Sequence, residues 1–310
     1  MLATLSAIAP VFARIFAGWL ARRLGALGAA ASGELSRFVV YLALPALLLD
    51  IVAHAAWADI WQPGFVAAFG LSALAIFAGT IALRLRASPL ADAAIDGLNA
   101  GYANTGFIGF PLALAALGRQ SLAPTLVATI ITACLLYGLG IVLIETGLHS
   151  GTRKREAALK VGGALLRNPL LLAPALGAVF PLAGLSAPPA VESFVKLIGA
   201  AASPCALIAL GLFLAERSER AGENLNLAGL LVALKLIAQP AIAWTLATQV
   251  FRLSPPLTHT GVLLAALPTG AGPFMLAELY GRRAGTTSRV VLISTVASVA
   301  TIGGYLTLAA

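Results

Sequence analysis

The stretch Asn104-Thr-Gly-Phe-Ile-Gly-Phe-Pro111 falls in the middle of an apolar run otherwise long enough to cross a bilayer. A spanning helix bonds every backbone amide to its own carbonyls, because hydrocarbon offers no partner. Pro111 has no N–H to give, and Gly106 and Gly109 lower the cost of leaving helical geometry, so the helix is expected to break here. A second stretch of the same kind, Pro268-Thr-Gly-Ala-Gly-Pro273, comes late in the chain, again inside an apolar run. Two interrupted apolar segments at corresponding places in two halves are the sequence sign of a secondary transporter's binding site.

The composition around these stretches fits that reading. The chain of 310 residues is 60% hydrophobic and 10% charged, with a mean hydropathy of +0.95. A soluble domain carries about a quarter charged residues, so the fold class is an all-α polytopic membrane protein built as one helical bundle. Windows of about 20 apolar residues give ten segments, near 2–21, 35–54, 63–84, 94–118, 122–146, 168–186, 190–214, 226–250, 257–280 and 287–308. Met1 to Pro10 has no basic residue, so the first segment reads as a retained span and not a cleaved signal. Cys134 and Cys205 sit in apolar runs without CxxC spacing and read as inert small residues.

The net charge of +8 does not point to nucleic acid, because no basic stripe alternates with aromatics. Fifteen of the 20 Lys and Arg fall in the gaps after odd-numbered segments, among them Arg84, Arg86, Arg153, Lys154, Arg155, Lys160, Arg217, Arg220, Arg282 and Arg283. The opposite side has Arg119, Lys196 and Arg252. This bias places both termini outside the cell and the loop at 148–167 in the cytoplasm.

The halves repeat weakly. A shift of 159 puts Pro10 on Pro169, Gly18 on Gly177 and Pro45 on Pro204; a shift of 163 puts Gly109 on Gly272, Gly118 on Gly281 and Gly140 on Gly303. Five spans is an odd number, so the second copy enters from the opposite face and the repeat is inverted. The expected organisation is a first five-helix repeat over 1–147, a linker over 148–167 and a second repeat over 168–310.

At the two breaks the sequence resembles the auxin efflux carrier family. The residues that carry the resemblance are Asn-Thr-x-x-x-Gly-x-Pro from Asn104 to Pro111 and Ala-Ala-Leu-Pro-x-Gly-x-x-Pro-Phe from Ala265 to Phe274, followed by Ala277 and Tyr280. Leu44-Pro45 and Asn168-Pro169 extend it. The resemblance implies a scaffold of spans 1, 2, 6 and 7 and a mobile transport unit of spans 3–5 and 8–10. Broken helices 4 and 9 would cross at the substrate, and the unit would move in elevator fashion. It also implies a contact between Asn104 and substrate, with Pro111 and Pro268 shaping the crossover. The short 148–167 loop and the missing Asp/Lys pair near the start of span 3 depart from the plant exporters, so a bacterial inner-membrane permease for a small carboxylate fits better than an auxin carrier. A homodimer through the scaffold helices is an expectation from related folds.

The chemistry of such a crossing suits an anion. Half-helix N-termini offer unbonded N–H groups and about half a positive charge each. Asn104 adds an amide, and Thr105 and Thr269 add hydroxyls. The candidate substrate-binding set is Asn104, Thr105, Gly106, Gly109, Pro111, Pro268, Thr269, Gly270, Gly272 and Pro273. The bland alternative is a pair of kinks satisfied by neighbouring helices; the match between the halves favours a site. Few ionisable residues fall within spans. Glu278 and Lys235 are the candidates for coupling or counter-charge; Asp50 and Glu145 lie near span ends, where they can snorkel. Arg14, mid-span, has no partner that the sequence identifies. Hydroxyl stripes at Thr125, Thr129 and Thr132, and at Ser294, Ser298 and Thr301, read first as close helix packing and second as a sodium site.

No cofactor or metal is expected, and coupling to protons or to sodium stays open. A sodium/proton antiporter wants a carboxylate at the crossing itself, and neither stretch contains one. An intramembrane enzyme finds no HExxH, no Gly-x-Ser-x-Gly and no paired midplane aspartates. A channel would show a repeated filter motif, and none is present.

Overall fold

The computed structural model describes residues 2–28, 30–54, 62–149, 163, 166–185, 187–216 and 225–309. Most of the 148–167 loop, with Arg153, Lys154, Arg155 and Lys160, lies outside the described residues, as do Arg217 and Arg220.

Among the described residues every named element is a helix. In order the chain forms α1 (Leu2–Arg23), α2 (Ala31–Ala53), α3 (Pro63–Arg84), α4 (Leu90–Gly101), α5 (Phe110–Leu117), α6 (Arg119–Leu148), α7 (Pro169–Ala183), α8 (Pro189–Ala215), α9 (Leu225–Val250), α10 (Pro255–Ala265), α11 (Gly272–Leu279) and α12 (Ala284–Ala309). Several helices start on a proline, where the absent N–H is an orphan in any case. At α7 the Asn168 side chain completes the start by accepting from the Leu170 amide at 3.0 Å. Six helices, α2, α3, α6, α8, α9 and α12, are each long and apolar enough to cross a membrane without interruption. Ten spans were expected. Two of those, expected over 94–118 and 257–280, are divided into the short pairs α4/α5 and α10/α11, and α7 has 15 residues.

Interior prolines explain three local widenings. The π-turns Val39–Ala43, Thr105–Gly109 and Leu234–Ala238 each end two residues before a proline, Pro45, Pro111 and Pro240. A proline ring clashes with the carbonyl four residues earlier, and here that carbonyl always lies inside the widened turn. The helix thus bends round the proline instead of ending.

Packing divides the helices into two sets. In the first, α1 lies along α8 and α2 lies against α7 and α8. The α1–α8 approach is so close that a Cβ on Gly18 would collide with the Ile208 carbonyl, and one on Gly211 with the Ile15 carbonyl. Small residues permit such contact where apolar side chains gain nothing by leaving lipid for each other. In the second set α3 packs on α4 and α10, α4 on α6, and α9 on α10 and α12. The sets meet where α1 touches α5 and α12 and where α2 touches α11. Large apolar side chains such as Leu182, Leu197, Ile237 and Val296 point outward, the surface a hydrocarbon solvent requires.

Candidate functional site

The two interrupted pairs cross. α4 ends at Gly101 and the chain turns extended at Tyr102, φ −85° and ψ 97°. After α10 the chain likewise leaves helical geometry before α11 starts at Gly272. At the crossing Ala103 and Thr269 form an antiparallel bridge. The Asn104 amide donates to the Pro268 carbonyl at 2.9 Å, and the Gly270 amide donates to the Tyr102 carbonyl at 3.1 Å. Each broken strand satisfies the other's backbone, which is how non-helical chain is tolerated at membrane depth.

Not every amide is used. A helix starting at Thr105 leaves its first N–H groups without carbonyls in the same helix. Those of Ile108 and Gly109 fold back onto the Asn104 carbonyl, at 3.2 and 3.1 Å. The amides of Gly106 and Phe107 therefore stand at the start of the half-helix with no carbonyl among the described residues. Asn104 is 4% exposed, and its side-chain amide has no hydrogen-bond partner among the described residues.

These groups open into a cavity of about 170 Å³. Asn104, Thr105, Gly106, Phe107, Thr129, Gly270 and Gly272 form one wall, together with Tyr102 and Met275. Val39, Leu44, Leu48 and Ile51 of α2, with Ala202 and Ala206 of α8, form the other. The space lies between the two helix sets, polar on the crossing side and apolar on the α2/α8 side.

The remaining expected site residues support the crossing from behind. Gly109 packs on Leu264 and Leu267, Pro268 contributes its carbonyl, and Pro273 is buried in the first turn of α11. The backbone of Pro111 lies in the first turn of α5. Both threonine hydroxyls are already committed as donors. Thr132 gives its proton to the Ala128 carbonyl, so the 2.9 Å contact between Thr105 and Thr132 is donated by Thr105. The Thr269 hydroxyl donates to the Asn99 carbonyl at 2.7 Å, and the Thr269 amide donates to the Ser294 hydroxyl at 3.1 Å. The expected hydroxyl stripes of α6 and α12 thus each deliver one group to the crossing. Donors facing the cavity reduce to the Asn104 amide and the half-helix N–H groups.

The expected charges separate. Lys235 is fully buried and donates to the Ala265 carbonyl at 2.6 Å. Glu278 lies at the far end of α11, beside a separate cavity with Ser32, Glu34 and Arg37. Asp50 is at the end of α2, 3.0 Å from His54, which also reaches Glu192 at 3.2 Å. Lys235 thus reaches the carbonyl end of α10 from α9, whereas Glu278, itself on α11, sits at the end of that helix away from the crossing.

Sequence reading missed an ionic cluster at one end of the second set. Arg84 Nε meets Asp96 at 2.9 Å, with Asp96 fully buried. Arg84 and Arg283 share the Ser88 hydroxyl at 2.8 and 2.7 Å, and Arg282 meets Asp92 at 2.6 Å. Arg283 adopts φ 56°, a left-handed conformation costly for a side chain this size, and its contacts with Ser88 and Asp92 hold it there. The signal was the spacing of Asp92 and Asp96 one helical turn apart beside a run of arginines. Also missed were Asn99, which donates to Thr287 at 2.9 Å, and the pair Tyr102 and Tyr137. Their rings are 5.6 Å apart, and the Tyr137 hydroxyl donates to the Gly272 carbonyl at 3.2 Å.

Comparison with known proteins agrees with this architecture. A family model described as "Membrane transport protein" matches residues 3–306. A protein of Rhizobium meliloti (strain 1021) named "Putative malonate transporter" is 29% identical over 302 residues, covering 96% of this chain and 93% of that one. Auxin efflux carrier component 3a of Oryza sativa subsp. japonica is 28% identical over 142 residues, 44% of this chain and 23% of the carrier. Probable auxin efflux carrier component 1b of the same plant is 27% identical over 142 residues, 44% of this chain and 26% of the carrier. A multi-pass helical chain matched over nearly its whole length is a membrane transporter and not an enzyme, and it belongs to the membrane transport protein family, that of the auxin efflux carriers.

Proposed function

We propose that this protein is a secondary active transporter of a small organic anion, a carboxylate, bound in the cavity beside the crossing of α4/α5 with α10/α11. The observation that carries the reading is the pairing of an almost fully buried Asn104 amide with N–H groups at the start of a half-helix, none of which has a partner among the described residues, at the edge of one cavity. Such a group binds a carboxylate without the desolvation cost of a buried Lys or Arg. The name of the Rhizobium relative agrees with a carboxylate cargo.

Ten spans in two inverted five-helix repeats organise the chain in this reading. Support comes from corresponding contacts in the two halves: Thr132 meets Thr105 as Ser294 meets Thr269, and Gly18 packs on the Ile208 carbonyl as Gly177 packs on the Leu49 carbonyl, each glycine–carbonyl pair related by the same shift in sequence. The set α1, α2, α7 and α8 is the scaffold, and the other helices form the unit that carries the substrate past it. The cavity between the sets is where such a movement would expose its cargo. The loops holding Ser88 and Arg283 lie at the same end of the bundle, which suits their assignment to the cytoplasmic side of a bacterial inner membrane, with both termini outside.

The test is thermal unfolding of the detergent-purified protein against acetate, malonate, succinate and indole-3-acetate. A ligand that binds the native state raises the midpoint by mass action. One carboxylate is expected to stabilise the native chain and not Asn104→Ala. If no acid in the series shifts the midpoint, the organic-anion reading is lost. If one stabilises the chain and Asn104→Ala equally, the site lies elsewhere.

A further inference from the structure

In an interrupted helix the carbonyl end is as exposed as the amide end. The last four carbonyls lack partners within the helix and carry about half a negative charge. In transporters of this kind, coupling cations are held by such ends. The structure contains two of them, at α4 and at α10, and they are closed differently.

At α4 the donors are neutral. The Thr269 hydroxyl takes the Asn99 carbonyl at 2.7 Å, and the Gly270 amide takes the Tyr102 carbonyl just beyond at 3.1 Å. At α10 the donor is a lysine side chain. Ala265 is the last residue of that half-helix, and its carbonyl accepts from Lys235 Nζ at 2.6 Å. Lys235 comes from the π-turn Leu234–Ala238 of α9 and is fully buried. No Asp or Glu pairs with it among the described residues. A lysine buried without a carboxylate is costly, and here the carbonyl dipole is what its position offers in return. Gln239, one turn further along α9, is also fully buried, and both polar atoms of its amide lack partners among the described residues. The neighbourhood is polar beyond what packing needs.

We propose that Lys235 is a tethered cation, held at the carbonyl end of α10 where a transporter of this architecture would otherwise bind a coupling alkali ion. Its positive charge stays inside the helix set that holds the crossing and balances the negative end of α10. The protein therefore needs no sodium at this position. The role within a transport cycle rests on the transporter reading above; the occupancy of the α10 end by Lys235 does not.

The test uses the ion alone, so its outcome is separate from whether any carboxylate binds. Thermal unfolding of the purified protein is followed while sodium chloride or lithium chloride replaces choline chloride at constant ionic strength. The native chain is expected to show the same midpoint in all three salts. Lys235→Ala is expected to unfold at lower temperature in choline and to recover saturably in sodium or lithium, as a vacated site fills. Lys235→Ser, smaller and with an oxygen of its own, is expected to do the same and serves if the alanine variant does not fold. A saturable sodium-specific rise in the native chain overturns the proposal, as does a lowered midpoint in both variants that neither alkali ion restores.

Discussion

The backbone amide of Asn104 and the carbonyl of Pro268 are joined at 2.9 Å across 164 positions of sequence. This bond, and its companion from Gly270 to Tyr102, makes the crossing a backbone structure. The side chain of Asn104 is left free of structural duty. Its replacement should separate binding from folding, which few buried polar residues allow.

Asn104→Ala is therefore expected to reduce transport of the cognate anion at least tenfold while changing stability by less than about 1 kcal/mol, since the amide gives up no intramolecular hydrogen bond. Unfolding midpoints and counterflow in proteoliposomes, measured on the same preparation, check both halves. A large loss of stability would mean the amide is bonded within the fold.

Glycines at the crossing differ in what they must avoid. A Cβ on Gly270 would stand 2.8 Å from the Tyr102 ring, whereas one on Gly106 meets only the Thr129 methyl at 3.6 Å. Gly270→Ala should lower stability by about 1–3 kcal/mol, the usual cost of overpacking, and impair transport by displacing Tyr102. Gly106→Ala should leave the unfolding midpoint near that of the parent and affect only binding, by entering the cavity. Equal midpoints for the two variants would contradict this geometry. Pro268→Ala provides a third comparison. Because the break is also held by the bonds between Asn104 and Pro268 and between Gly270 and Tyr102, it should impair transport while α10 and α11 remain separate.

How much of this was legible depends on what kind of force sets each feature. The two breaks could be read directly, because Gly106, Gly109, Pro111 and the 268–273 stretch alter the backbone itself, and backbone rules act locally. The start of α4 at Leu90 could not. The apolar window opens only at 94, past Asp92, and the two aspartates are accommodated by Arg282, from the loop after α11, and by Arg84, the last residue of α3. Those arginines had been counted only as markers of sidedness. The apolar wall of the cavity was hidden for another reason. Leu44, Leu48 and Ile51 lie in the part of α2 from 42 to 53, where Asp50 is the one charged residue, and a leucine facing the cavity reads like one facing lipid. Lys235 stood out by its charge, but its bond to the Ala265 carbonyl depends on tertiary packing of α9 on α10.

The Arg84–Asp96 pair gives a quantitative check on the ionic cluster. Removing one partner of a buried pair leaves an uncompensated charge. Asp96→Leu is expected to cost about 3 kcal/mol, the low end of that range, because Arg84 still reaches water at 18% side-chain exposure. The double variant Arg84→Met with Asp96→Leu should recover most of the loss. A double-mutant cycle on unfolding free energies reads the coupling. Additive losses would show that the two residues act independently.

The two hydroxyl contacts at the crossing, although placed alike in the two halves, should answer differently to mutation. Ser294 accepts from the Thr269 backbone amide at 3.1 Å, and that amide is buried with no other acceptor in reach among the described residues. Ser294→Ala leaves it unsatisfied, at a cost of about 1–3 kcal/mol. Thr132 instead accepts from the Thr105 hydroxyl, and in Thr132→Val that hydroxyl can turn toward the cavity it already lines. Stability should fall by less than 1 kcal/mol, while the affinity for an anion should rise, because a freed O–H adds a donor to the wall that holds Asn104. Unfolding midpoints and ligand-induced shifts on both variants separate the outcomes. If the stripes instead formed a sodium site, both substitutions would lower sodium-dependent stability alike, and the asymmetry between them would vanish.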